Sequence, residues 1–186
     1  MTSTPDNPAA PPGRSPSPPV GDGREDFNFL FGRWHVANRK LTDPLDPACT
    51  TWTEFDAVAA AHPILHGLGN FDSFTATAGA DGLPFQGVTL RLFDPQDRTW
   101  RIWWAATTRP GYLEPPMEGR FNGCHGVFNS KEIIAGQAVD VRFDWHVSSP
   151  VTARWEQAFS FDDGQTWVTN WVMDLTRDAD SVPASP

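Results

Sequence analysis

The stretch Val139-Asp140-Val141-Arg142-Phe143-Asp144-Trp145-His146-Val147 decides the fold class, together with Thr152-Ala153-Arg154-Trp155-Glu156-Gln157-Ala158-Phe159-Ser160-Phe161, which follows a short connection at Ser148-Ser149-Pro150-Val151. In the first segment Val139, Val141, Phe143, Trp145 and Val147 share one face, and Asp140, Arg142, Asp144 and His146 share the other. A period of two marks a half-buried strand, because successive side chains of an extended chain point to opposite sides. The intervening Ser-Ser-Pro predicts a hairpin turn. Folding about Ser149 sets Phe143 opposite Trp155 on the apolar face. On the polar face the same register sets Asp144 opposite Arg154 and Arg142 opposite Glu156, and two complementary charge pairs favour it.

Working outward, the same alternation recurs at Trp34 to Lys40, Thr51 to Ala57, Leu68 to Thr75, Gly87 to Phe93, Thr99 to Ala106, Glu118 to Phe121, Gly126 to Asn129 and Trp167 to Thr176. Asp81-Gly82, Asp94-Pro95 and Asp163-Gly164 supply hairpin turns. One short helical turn is expected over Glu25 to Phe31. The fold class is therefore all-β, an antiparallel up-and-down barrel of about ten strands, since closure removes the exposed edges of an open sheet. Ser160-Phe161-Asp162-Asp163-Gly164-Gln165-Thr166-Trp167 resembles the Asp-box hairpin of sialidase propellers. A propeller repeats that unit blade after blade, and here there is a single copy, so the motif reads as an Asp-stabilised tight turn.

The first 23 residues hold seven prolines and no aromatic residue, too little apolar surface to offset the entropy of ordering. The expected organisation is a disordered leader over 1–23, the barrel over 24–177 and a disordered tail over 178–186. The leader lacks a basic start and an apolar run, and no segment is apolar for long enough to span a bilayer as a helix, so a soluble, cytoplasmic protein without membrane contact is expected. Cys49 and Cys124 are expected to be reduced thiols. A net charge of −9 with 14 Lys and Arg excludes a concentrated basic surface for nucleic acid. Nine tryptophans and 13 phenylalanines beside a single tyrosine are the unusual feature, and such rings build a core or line a pocket.

Phe29-Leu30-Phe31-Gly32-Arg33-Trp34 resembles the Gly-x-Trp segment with which lipocalins and related calycins open their barrels. The resemblance implies that a helical turn closes the barrel base, that Gly32 and Trp34 are structural, and that Arg177, at the end of the last strand, covers the Trp34 ring. Through Gly67 to Asp72, Leu90 to Pro95, Leu113 to Pro116 and Ala153 to Ser160 the chain also resembles a bacterial family of uncharacterised calycin-like domains, which implies a fold and no activity. Haem-binding barrels of the nitrobindin type begin with a similar segment and use one axial His. Haem binding is thus a reading to be tested, and no cofactor is otherwise expected.

The residues expected to line a cavity are Trp100, Trp104, Phe143, Trp155, Phe159, Trp171 and Met173, with Asn38 and Gln157 orienting a small apolar or aromatic ligand. Gln157 interrupts an apolar face, and a buried amide must find a partner, either Thr169 or the ligand. Trp167 is read on the same face as Trp171. Arg142, Asp144, Arg154 and Glu156 read as an exterior ladder of ion pairs. Glu54 and Asp56 share a face with Trp52, in a pattern that does not say which side is buried. Glu54, or another buried carboxylate, is the catalytic candidate, because a carboxylate inside an aromatic barrel has a raised pKa and can act as acid or base. Asn70 and Asp72 are equally open. His62 and His66 lie four apart across Pro63, which spoils a helical metal pair, and no metal site is expected. Neither a Gly-x-Ser-x-Gly elbow nor a phosphate loop occurs. Three function classes stand: a ligand-binding barrel, a lipocalin-like cyclase or isomerase using the same cavity, and a solid barrel that serves as an interaction module. The oligomeric state is open.

Overall fold

The computed structural model describes residues 21–179. The reading of a disordered leader and tail falls mostly on residues outside that range. Ten antiparallel strands close into one barrel: β1 (Gly32–Leu41), β2 (Trp52–Ile64), β3 (Gly69–Ala76), β4 (Phe85–Asp94), β5 (Thr99–Ala106), β6 (Met117–Asn122), β7 (His125–Ile134), β8 (Gln137–Ser149), β9 (Thr152–Ser160) and β10 (Val168–Arg177). Each strand pairs with its neighbours in sequence, and β10 closes the circle on β1. Two lone 3₁₀ turns, Asn28–Leu30 and Leu65–Gly67, are the helical elements among the described residues before residue 178. No helix among the described residues is long and apolar enough to cross a membrane.

Every expected strand is present, and the differences lie at strand ends. β2 runs seven residues beyond Ala57 to Ile64, with Pro63 next to its last residue, where a missing donor disturbs little of the ladder. β7 continues to Ile134 because Ser130 and Glu132, polar but turned inward near one mouth, are joined by a 2.8 Å hydrogen bond from Ser130 Oγ to Glu132 Oε1.

The β8–β9 hairpin corrects the expected register. Phe143 pairs with Gln157, Asp144 with Glu156, Trp145 with Trp155 and Arg142 with Ala158, two residues off the expected pairing, with a further one-residue irregularity between Val147 and Ser149 beside the turn. The charge pairs consequently form within strands, Arg142 Nε to Asp144 at 2.6 Å and Arg154 Nε to Glu156 at 2.9 Å, with Arg154 also 3.6 Å from Asp174. An offset of two preserves the faces, so the rings of Phe143 and Trp155 still meet diagonally inside, 4.8 Å between centroids.

One barrel end is plugged. Residues 24–30 coil beneath it and bury Phe27 completely among Trp100, Phe121, Phe128 and Trp145, with edge-on contacts of 5.0 Å to the first two. Trp34, turned inward by the β1 alternation, donates from Nε1 to Leu30 O at 2.8 Å. The Arg177 guanidinium lies 4.4 Å over the Trp34 ring and donates to the carbonyls of Phe29 and Phe31, closing the last strand onto the plug. Gly32 opens β1 at φ +105°, a backbone angle that glycine adopts without strain. Arg98 donates to the carbonyls of Gly21 and Asp22, and Trp100 Nε1 to Gly23 O at 2.9 Å, so residues 21–23 are held against the barrel.

The Ser160–Trp167 hairpin is built as the Asp-box pattern reads. Asp162 Oδ1 accepts from the backbone N–H groups of Gln165 and Thr166 and from Ser160 Oγ, and Oδ2 accepts from Thr166 Oγ1 at 2.7 Å. These donors hold the Asp162 carboxyl down at a pKa of about 2, the backbone bond from Thr166 contributing most.

Candidate functional site

Above the plug the barrel is hollow. A cavity of about 540 Å³ opens at the end opposite Phe27, within the ~300–1,000 Å³ range of ordinary small-molecule sites. Its wall is aromatic, and Trp104, Phe143, Trp155, Phe159, Trp171 and Met173 all face it, as does Gln157. Trp155 and Trp171 meet edge to face at 5.6 Å. The close fit of Trp104 follows from Gly87 across the ladder, where a Cβ would lie 2.0 Å from the indole.

Two expected lining residues sit elsewhere. Trp100 belongs to the plug, sealed against Phe27 and Phe93. Asn38 is buried within the wall, where its Nδ2 donates to Val36 O and its Oδ1 accepts from Trp171 Nε1 at 3.0 Å, so it orients a lining ring and does not touch the cavity. The partner of Gln157 is Asn170 and not Thr169. A bulge between Thr169 and Trp171 turns Asn170 inward, and its Oδ1 accepts from Gln157 Nε2 at 2.9 Å. The same bulge carries Trp167 to the outer face, under Arg142 at 4.4 Å. Glu54 and Asp56 are exposed, since β2 turns Phe55, Ala57 and Ala59 inward. Glu54 therefore cannot be the interior acid or base.

The interior charges arise from other positions. At the cavity floor Arg91 and Asp72 form an ion pair, both nearly buried, and Arg91 Nη1 also donates to Asn70 Oδ1 at 3.0 Å. The guanidinium stands 5.0 Å over Phe27, which joins the floor to the plug. In β4 the usual pattern is inverted, with Val88 exposed and Thr89 and Arg91 turned inward. At the mouth stand Lys40, Asp81, Arg109, Glu114 and Glu132. Burial pushes the Glu114 carboxyl upward and Glu132 adds to it, against the opposing pull of Arg109 and Lys40. Burial pushes the Lys40 ammonium downward, opposed by Glu114 and Asp81. Together the lining holds three cations (Lys40, Arg91, Arg109) and four carboxylates (Asp72, Asp81, Glu114, Glu132), so no surplus positive charge awaits an anion.

None of the five histidines lines the cavity, so a haem placed there would find no imidazole ligand, and the residues do not fit that group. On the outer face His125, Asp144 and His146 gather within 4.8 Å, a cluster that becomes visible only once β7 and β8 place the two histidines opposite each other. Their rings stack at 4.4 Å and 12°, His125 Nε2 lies 3.0 Å from Asp144 Oδ1, and Arg142 pairs with the same carboxylate. As arranged, the cluster is a stacking and ion-pair network.

No protein-family model matches the sequence, and no curated protein matches it. Among solved structures, the crystal structure of Rv2717c from M. tuberculosis is similar with a TM-score of 0.55 at 14% identity, over 86% of this chain and 99% of that one. The likeness is one of fold. It supports the ten-stranded barrel and assigns no ligand.

Proposed function

We propose that the barrel binds a small, uncharged apolar or aromatic molecule in its interior. The observation that carries this reading is the hollow of about 540 Å³, walled by indole and phenyl rings and open at one end. Burying such a ligand is worth roughly 25 cal/mol per Å² of apolar surface, and the rings add edge and face contacts. Selection for an uncharged ligand follows from the lining charges. A carboxylate would join four others around three cations, so the net charge of the lining opposes it while it loses its hydration. The cyclase or isomerase reading loses Glu54, which is outside, and would have to draw on another carboxylate of the lining.

The test is displacement of Nile red from the full chain, followed by its emission and by tryptophan quenching. Uncharged two-ring aromatics should displace it, with the matching carboxylates at least about tenfold weaker, a difference of about 1.4 kcal/mol. Failure of every uncharged compound to displace the dye, or equal affinity for the carboxylates, would refute the proposal.

A further inference from the structure

The chain contains two lysines, and they stand in opposite surroundings. Lys131 is 78% exposed and paired with Asp140 at 3.1 Å and Asp163 at 3.7 Å. Lys40 follows Trp34, Val36 and Asn38 on the inward face of β1 and lines the cavity. Its Nζ lies 4.0 Å over the Trp171 ring and forms no ion pair among the described residues. An inward lysine breaks the barrel's own pattern, and local rules are most often broken where a site has a use for the residue. A desolvated amine beside an apolar cavity is the setting in which lysines act as nucleophiles towards carbonyl groups.

We propose that the cavity accepts an apolar aldehyde or ketone and that Nζ of Lys40 condenses with it to a protonated imine. This rests on the ligand-binding reading above. The ammonium first gives a proton to water or to the Glu114 carboxylate at the mouth, and the freed lone pair attacks the carbonyl carbon. A C–N bond forms, the C=O π pair moves to oxygen, and the oxygen takes a proton. The nitrogen gives up a second proton, the carbinolamine hydroxyl takes one and leaves as water, and the nitrogen pair thus freed closes the C=N bond. Overall, the ammonium and the carbonyl compound give the iminium and one water, with no oxidant or reductant.

The charge account favours this product. One positive charge sits at Nζ before and after, so the face of Trp171 and the field of Glu114 and Asp81, which favour the ammonium, favour the iminium as well. Burial of Lys40 assists the first step by disfavouring the charged amine. A bound carboxylate would have added to the anionic excess of the lining, whereas a carbonyl brings none.

The experiment treats the full chain with 2-naphthaldehyde and cyanoborohydride, which traps imines, and maps adducts by peptide mass spectrometry. Tryptophan quenching by 2-naphthalenemethanol, which binds without condensing, runs in parallel. Lys40 should be labelled at least about tenfold faster than Lys131, a small part of what holding two reactants together can give. The alcohol should suppress labelling at Lys40 and not at Lys131. If the alcohol binds while Lys40 is labelled no faster than Lys131, or if the alcohol fails to protect Lys40, the imine proposal is overturned and the cavity reading stands. If the alcohol does not bind, both fall together.

Discussion

Replacing Arg91 by Met removes one partner of an ion pair from which water is almost absent, the side chains of Arg91 and Asp72 keeping 6% and 10% of their exposure. Asp72 would then lie charged, or forced to protonate, beneath an aromatic cavity, and Asn70 would lose the donor to its Oδ1. Breaking a buried pair in this way costs about 3–5 kcal/mol, most of it the desolvation of the stranded charge. Loss of the cation above Phe27 adds to the cost. For a domain of this size each kcal/mol moves Tm by roughly 2–4 °C, so the single variant should melt about 6–20 °C lower. Replacing both partners, Arg91→Met with Asp72→Leu, removes the stranded charge and should restore most of that loss. Differential scanning calorimetry of wild type, both single variants and the double variant completes the cycle. The reasoning is wrong if Arg91→Met melts within about 2 °C of wild type, or if the double variant is no more stable than the worse single.

Gln157→Leu should weaken ligand binding and also lower stability by about 1–3 kcal/mol, because the buried Asn170 Oδ1 loses its donor; a urea midpoint equal to wild type would show that Asn170 finds another partner. Gly87→Ala places a Cβ against the Trp104 indole and should push that ring into the cavity, costing about 1–3 kcal/mol and reducing Nile red affinity, and unchanged dye binding would count against it. The Asp162 pKa of about 2 lies below the ordinary value of 3.8, so its contribution to stability is full above the unfolded value and fades as pH falls from about 4 towards 2. Asp162→Asn should therefore flatten the acid limb of the stability curve, while a carboxyl NMR titration of wild type with a midpoint near 4 would contradict the hydrogen-bonded hairpin.

The barrel was legible because alternation is a property of the chain, whereas its contents depend on where alternation slips. In β8 and β9 the turn lies one residue further along the chain than Ser149, which moves the pairing by two residues, an even step, so Phe143 and Trp155 stay inside although their partners change. In β10 the bulge at Asn170 inserts a single residue, an odd step, and every assignment before it reverses: Trp167 goes out and Asn170 comes in. β4 shows the deeper limit. Val88, Leu90 and Leu92 are its apolar alternates, yet Thr89 and Arg91 point inward, where Asn70 and Asp72 stand across the ladder on β3. Polar residues can form an interior only as a set, and a set drawn from two strands leaves no signal within either one. Lys40 differs, since its place two residues beyond Asn38 on the Trp34 face was open to inspection in a single strand. The cavity carries paired charges at its floor and, among the described residues, an amine without an ion pair at its mouth, and neither the pairing nor its absence could be inferred from the period of two that builds the wall.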